Sequence, residues 1–285
     1  MTKLRILGLH GHGTSAYIFS SQTAAFRNKL PPSKYAFDFI NAPHDSAPAP
    51  GIKVLFNSTH HTWYASFRSA PNTPSTVNSI RASHVWLEDY IEANGPYDAV
   101  ICFSQGCSLV ASYLLYHALE SPEAPLPFKA AIFICGGLPL NVLEDIGVPV
   151  SQKAHEVNRV SGNLLKAKAG ALNEWASNLD KIKPGVGLWD DTTGLLHDPN
   201  VMPDDEDVFG LDFTKIPKGL RIKIPTVNIY GGKDPRWPSS VQLAKFCVDT
   251  RCYDHGGGHD IPRSTQVSLD IAKLVEELAR EIEEE

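Results

Sequence analysis

The pentapeptide Cys102-Phe103-Ser104-Gln105-Gly106 joins the run Tyr97–Phe103, apolar after Asp98, to a stretch of helical periodicity, Gly106–Leu119. This is the setting of a nucleophile elbow, a sharp strand-to-helix turn that lifts a serine hydroxyl above the sheet edge. Small residues two before and two after the serine let the turn close, and Cys102 stands where glycine is usual. A serine hydroxyl is a poor nucleophile near neutral pH. It needs a base to take its proton and an acid to orient that base. Around such an elbow the chain order is serine, acid, histidine, each in a loop at the carboxyl end of a strand. Tyr230-Gly231-Gly232-Lys233-Asp234-Pro235 offers Asp234, and Asp254-His255-Gly256-Gly257-Gly258-His259-Asp260 offers His259. Asp254 and Asp260 are rival acids. His255 is a rival base, but His259 lies further out on its loop and is better placed to reach across.

Acyl transfer also needs donors for the charge that develops on the carbonyl oxygen. One expected donor is the backbone N–H of Gln105, the residue after the nucleophile. The other is the backbone N–H of His12, in the turn His10-Gly11-His12-Gly13. Glycines there let the backbone approach a substrate. The side chains of His10 and His12 read as structural.

These residues need a scaffold that brings strand ends together. Apolar runs Leu4–His10, Tyr35–Asn41, Tyr97–Phe103, Lys129–Cys135 and Arg221–Tyr230 read as strands, with a short sixth inside Cys247–His255. Helical periodicity follows the first turn through Leu30, then covers Val77–Asn94, Gly106–Leu119 and Ser264–Glu285. Continuous apolar strands alternating with helices imply a mostly parallel sheet covered on both faces. Residues 45–76 read as a long loop holding Trp63, Tyr64 and Phe67. The interval 138–220 breaks the alternation. Its first part, Lys153–Ile182, carries Val157, Val160, Leu164, Ala171, Trp175, Leu179 and Ile182 near helical spacing, interrupted by Gly162 and Gly170. A connection this long is usually functional. The expectation is one α/β domain over residues 1–285 with an inserted helical lid at 138–220.

Composition narrows the classes. Of the 285 residues 42% are hydrophobic and 20% charged, enough to build a core and to exclude global disorder. The net charge of −6, with no Lys/Arg cluster, argues against nucleic-acid binding. No apolar run approaches the ~18 residues of a membrane span, and no secretory leader is visible. Five scattered cysteines without paired spacing fit reduced, buried thiols in a cytoplasmic protein.

The runs L-H-G-H-G-T-S-A-Y-I-F, F-I-N-A-P-H, C-F-S-Q-G, G-G-K-D-P and G-G-G-H-D together resemble the fungal family of serine hydrolases, over about residues 4–137 and 221–280. Departures are Cys102 for glycine, Asn41 for a common aspartate, and the long 138–220 segment. The resemblance implies the α/β-hydrolase fold, Ser104, Asp234 and His259 as the triad, and no cofactor. It also implies kinship with esterases and stand-alone thioesterases of polyketide pathways, whose acyl substrate can be presented by a carrier protein. Tyr17, Phe19, Trp63, Tyr64, Trp175 and Trp237 are the aromatic residues expected to line an acyl pocket.

Three rival readings differ in class. Gly11-His12-Gly13-Thr14-Ser15-Ala16 matches a dinucleotide fingerprint, but the second strand ends in Asn41-Ala42-Pro43 rather than in an acidic residue. A metal site at His255 and His259 would put its H-x-x-x-H spacing on a glycine-rich loop rather than on a helix face. A non-catalytic binding module is disfavoured because every triad role has an occupant.

Overall fold

The computed structural model describes residues 3–65, 76–178 and 186–284. In chain order its elements are β1 (Leu4–Leu9), α1 (Ala16–Arg27), β2 (Tyr35–Ile40), β3 (His44–Asp45), α2 (Ile52–Leu55), β4 (His61–Thr62), α3 (Thr76–Asn94), β5 (Ala99–Phe103) and α4 (Gln105–Glu120). There follow β6 (Ala130–Ile134), α5 (Leu140–Asp145), α6 (Gln152–Ser177), β7 (Asp207–Val208), β8 (Leu211–Asp212), β9 (Thr226–Tyr230), α7 (Trp237–Phe246), β10 (Thr250–Asp254) and α8 (Thr265–Glu284).

Six strands form one sheet in the order β10-β9-β6-β5-β1-β2, every neighbour parallel. Both faces of this sheet are covered, so its central strands are apolar at every position. Leu7, Leu9, Val100, Cys102, Ala131 and Phe133 point into one layer, packed by α3, α4, α5 and α7. Ile6, Ile101, Phe103, Ile132 and Ile134 point into the other, packed by α1 and α8. This is the α/β-hydrolase fold. The strand order reverses at β1, whose neighbours are β2 and β5. Crevices beyond the carboxyl ends at such a reversal are where ligands bind in open α/β sheets.

The structure departs from the sequence reading at definite places. The fifth expected strand begins at Thr226, not Arg221: Pro225 has no N–H for the ladder, and Ile222 makes only an isolated bridge to Cys247. Helix α6 runs unbroken through Gly162 and Gly170, because the ~1 kcal/mol each glycine costs is small beside a 26-residue ladder. Of its expected apolar stripe, Leu179 and Ile182 lie outside the described residues. Helices α5 and α7 had no distinct sequence signal. The long loop contains the β3–β4 pair and the single turn α2, while residues 66–75, with Phe67, lie outside the described residues. Cys252, expected to be buried, is exposed on the edge strand β10, where alternate positions face outward; the other four cysteines are buried. Among the described residues, no helix is long and apolar enough to cross a membrane.

Candidate active site

Ser104 follows the last residue of β5 and precedes the first turn of α4, with φ 50° and ψ −109°. That left-handed φ is costly for a residue with a Cβ. It is held because the Ser104 N–H donates to Ile134 O at 3.0 Å while Ser104 O accepts from Cys107 N at 3.1 Å. The turn closes only because position 106 is glycine: a Cβ there would lie 2.5 Å from Leu9 O and 2.9 Å from His10 O. Cys102 causes no obstruction, since its side chain points into the α3–α4 layer and is fully buried.

Two loops bring the other groups. Asp234 lies beyond β9 and His259 beyond β10. His259 Nε2 is 3.0 Å from Ser104 Oγ, and His259 Nδ1 is 2.7 Å from Asp234 Oδ2. Asp234 is completely buried. Its second oxygen, Oδ1, accepts from the Arg236 N–H at 2.7 Å, and it sits at the N-terminal end of α7, where the helix dipole favours negative charge. Phe103 packs against the His259 ring at 5.3 Å between centroids.

The rivals stand elsewhere. Asp254 Oδ1 accepts from Gly232 N at 2.8 Å and Gly256 N at 2.7 Å, so it ties the two loops together. His255 Nδ1 accepts from Gly257 N, and burial lowers its pKa. Burial raises the pKa of Asp260, an effect that His255 and Trp189 oppose.

The Gln105 and His12 amides lie at the start of α4 and in the β1 turn, and neither N–H donates a hydrogen bond among the described residues. The Gln105 side chain clamps the neighbouring segment: Oε1 accepts from Trp63 N and Nε2 donates to Tyr64 O, both at 3.0 Å. His10 accepts from Ala42 N–H through Nε2 at 3.0 Å, and burial pushes its pKa down to about 4. A neutral, buried ring therefore braces the turn. His12 Nδ1 is 3.1 Å from Thr62 Oγ1. Its pKa is lowered by loss of water and then by the Lys166 ammonium of α6.

The six aromatic residues separate. Phe19, Trp63 and Trp237 are at most 1% exposed and belong to the core rather than to an open pocket wall. Phe19 meets Phe39 and Phe103, Trp63 donates Nε1 to His10 O, and Trp237 stacks on His197. Each had a strong apolar or hydrogen-bonding partner that sequence spacing did not reveal. Tyr64 is buried, and desolvation raises its hydroxyl pKa to about 12. Tyr17 is 68% exposed and meets Phe56 edge-on. Trp175 is half-buried on α6.

Several residues near the site carried no sequence signal. The Arg236 guanidinium donates to Asn158 O and Asn158 Oδ1 at 2.8 Å and to Ser161 Oγ at 3.0 Å, so the neighbour of the candidate acid grips α6. Trp189 covers the His259 loop so closely that a Cβ at Gly258 would fall 2.0 Å from its ring. His197 Nε2 is 2.8 Å from Gly232 O. Cys135, at φ 48° beyond β6, places its Sγ 3.8 Å from Gly258 O and 3.7 Å from Asp260 O, the carbonyls on either side of His259. Among the described residues, the cluster able to hold a metal is Cys135, Asp234 and His259, without His255.

Comparison with known proteins gives the family. The family model described as serine hydrolase (FSH1) matches residues 1–271. Esterase FPY3 of Fusarium mangiferae is 27% identical, with 96% of each chain covered. Esterase alnB of Emericella nidulans is 30% identical, with 91% of each covered. Thioesterase FSL2 of Gibberella zeae is 26% identical, over 95% of this chain and 90% of the relative. A parallel sheet, a strained serine at its elbow and a family match over residues 1–271 lead to one conclusion: the chain belongs to the FSH1 family of serine hydrolases.

Proposed function

We propose that the chain cleaves a carboxylic thioester or ester through an acyl-enzyme formed on Ser104. The observation that carries this reading is the unbroken relay of 3.0 Å and 2.7 Å from Ser104 through His259 to Asp234. Ser104 Oγ attacks the acyl carbonyl as His259 Nε2 takes its proton. Buried Asp234 keeps the ring proton on Nδ1 and stabilises the imidazolium that forms. The Gln105 and His12 amides, which have no acceptor among the described residues, receive the oxyanion. The imidazolium then protonates the leaving thiol or alcohol. In the second half, His259 activates water, which releases the acid.

The segment 138–220 acts as a lid in this proposal. Helix α6 reaches the site through Arg236 and Lys166, and Trp189 lies over the His259 loop. Val157, Val160, Leu164 and Trp175 are only half-buried. That leaves apolar surface to contact an acyl chain, together with Tyr17 and Tyr64. The acyl group is medium to large and of polyketide type, presented by a carrier protein in the cytoplasm; this finer part rests on the family resemblance and on the esterase and thioesterase names of the relatives. The test is a panel of acyl thioesters and oxygen esters of graded length, combined with fluorophosphonate labelling mapped by mass spectrometry. Labelling at Ser104 and a preference for long thioesters support the proposal. Turnover of only short oxygen esters would show a general carboxylesterase, and labelling elsewhere would reject the triad.

A further inference from the structure

Cys135 has no role in the acyl-transfer steps, yet its position is forced. It adopts φ 48° with a Cβ, held by its N–H donating to Ile229 O at 2.8 Å. Strain retained at one residue beside a reactive centre points to a function for its side chain. That conformation sets the buried thiol against Asp234 and between the two carbonyls that flank His259. Sulfur, carboxylate oxygen and imidazole nitrogen all lie within 4.8 Å of one another.

We propose that Cys135, Asp234 and His259 form an inhibitory site for a soft divalent cation of the zinc and cadmium class. Thiolate and imidazole select such ions over magnesium or calcium, and three protein ligands leave a fourth tetrahedral position for water. The balance is simple. The ion enters, the Cys135 thiol proton leaves to solvent, Asp234 is already a carboxylate, and the ring stays neutral. Two positive charges meet two negative ones, so the buried site ends without net charge. The consequence for hydrolysis rests on the reading of His259 as the base. Bound through Nδ1, the ion forces the ring proton onto Nε2, which then cannot accept from Ser104. Bound through Nε2, it occupies the lone pair itself. Entry requires the His259 ring to swing, because the side chains of His259 and Asp234 are only 11% and 0% exposed.

Cadmium chloride is the probe, in a Cys252→Ser background that removes the exposed thiol. Ser104→Ala in that background separates binding from turnover. The expected result is one cadmium per chain with an ultraviolet thiolate charge-transfer band, and affinity lowered at least about 100-fold by Cys135→Ala, since loss of a ligand should exceed the 10–100-fold cost of losing its outer-shell support. With Ser104 present, zinc should stop hydrolysis, EDTA should restore it, and Cys135→Ala should resist zinc relative to its own uninhibited rate. If Cys135→Ala does not fold, His259→Ala should weaken the same band. No band, or a band unchanged in both variants, overturns the site. A normal band without inhibition keeps the site and overturns the role of His259 instead.

Discussion

Ser104→Gly should give a more stable protein than Ser104→Ala, although both are inactive. Both variants lose the hydroxyl and its contact with His259, so their difference isolates the Cβ. At φ 50° and ψ −109°, pinned by Ile134 O and by the first turn of α4, that Cβ is strained. Relief of a left-handed non-glycine residue gains about 1–2 kcal/mol, with up to about 3 at a sparsely populated conformation. Glycine's larger unfolded-state entropy takes back about 0.5–1 kcal/mol. The net is about 1 kcal/mol in favour of glycine. For a chain of this length, about 2.1 cal/mol/K of unfolding entropy per residue turns that into about 2 °C of Tm. Scanning calorimetry and urea midpoints, run side by side, resolve a gap of that size. An alanine variant equal to or more stable than the glycine variant would refute the claim that the elbow is strained. Fluorophosphonate should label neither.

Asp234→Asn should lower kcat by on the order of 10^4, because the amide holds the imidazole in the wrong tautomer. Asp254→Asn should be mild, since an amide oxygen can still accept from Gly232 and Gly256; equal losses in stopped-assay rates would mean the acid is misassigned. His84, whose Nε2 is 3.0 Å from Leu109 O, has its pKa pushed down by burial to about 4 from an ordinary 6.5. Its unfolded form therefore binds a proton first as pH falls. Stability should drop between pH 6.5 and about 4 by up to about 1.4 kcal/mol per pH unit for this group, and His84→Gln should flatten the fall in urea midpoint over that window. Leu164→Ala and Trp175→Ala should shift chain-length preference among acyl thioesters and spare short esters. Equal losses on all substrates with a lowered Tm would make α6 merely structural.

The elbow and the Ser104–His259–Asp234 grouping were legible because each residue lies at a sharp change of pattern, where an apolar run gives way to glycines and a polar group. Residues such as Ser104 and His259 are separated by 155 positions, yet both lie beyond the carboxyl end of a strand, and those ends of one parallel sheet meet at one edge. The aromatic residues were not legible in the same way. Trp237 and Phe19 could face substrate or core, and only three-dimensional neighbours decide, as His197 and Phe39 do here. Arg236 and Cys135 escaped because their partners are distant in sequence and of ordinary type: Asn158 and Ser161 for one, backbone carbonyls for the other. Helix α6 was legible by its period, but two glycines suggested breaks that a long ladder absorbs.

The pairing of α1 with α8 on one face of the sheet has a consequence for synthesis of the chain. Helix α1 is made well before α8, against which it buries its apolar face. His259, the base in the proposed mechanism, is also made late, on the loop after the edge strand β10. Early segments can place Ser104 just beyond β5, but without that strand and helix the serine lacks its proposed proton acceptor. Under that reading a nascent chain carries an inert hydroxyl until β10 and α8 dock. Burst labelling by fluorophosphonate during translation would then report only chains in which β10 and the His259 loop have docked, so reactivity would signal that the sheet is complete.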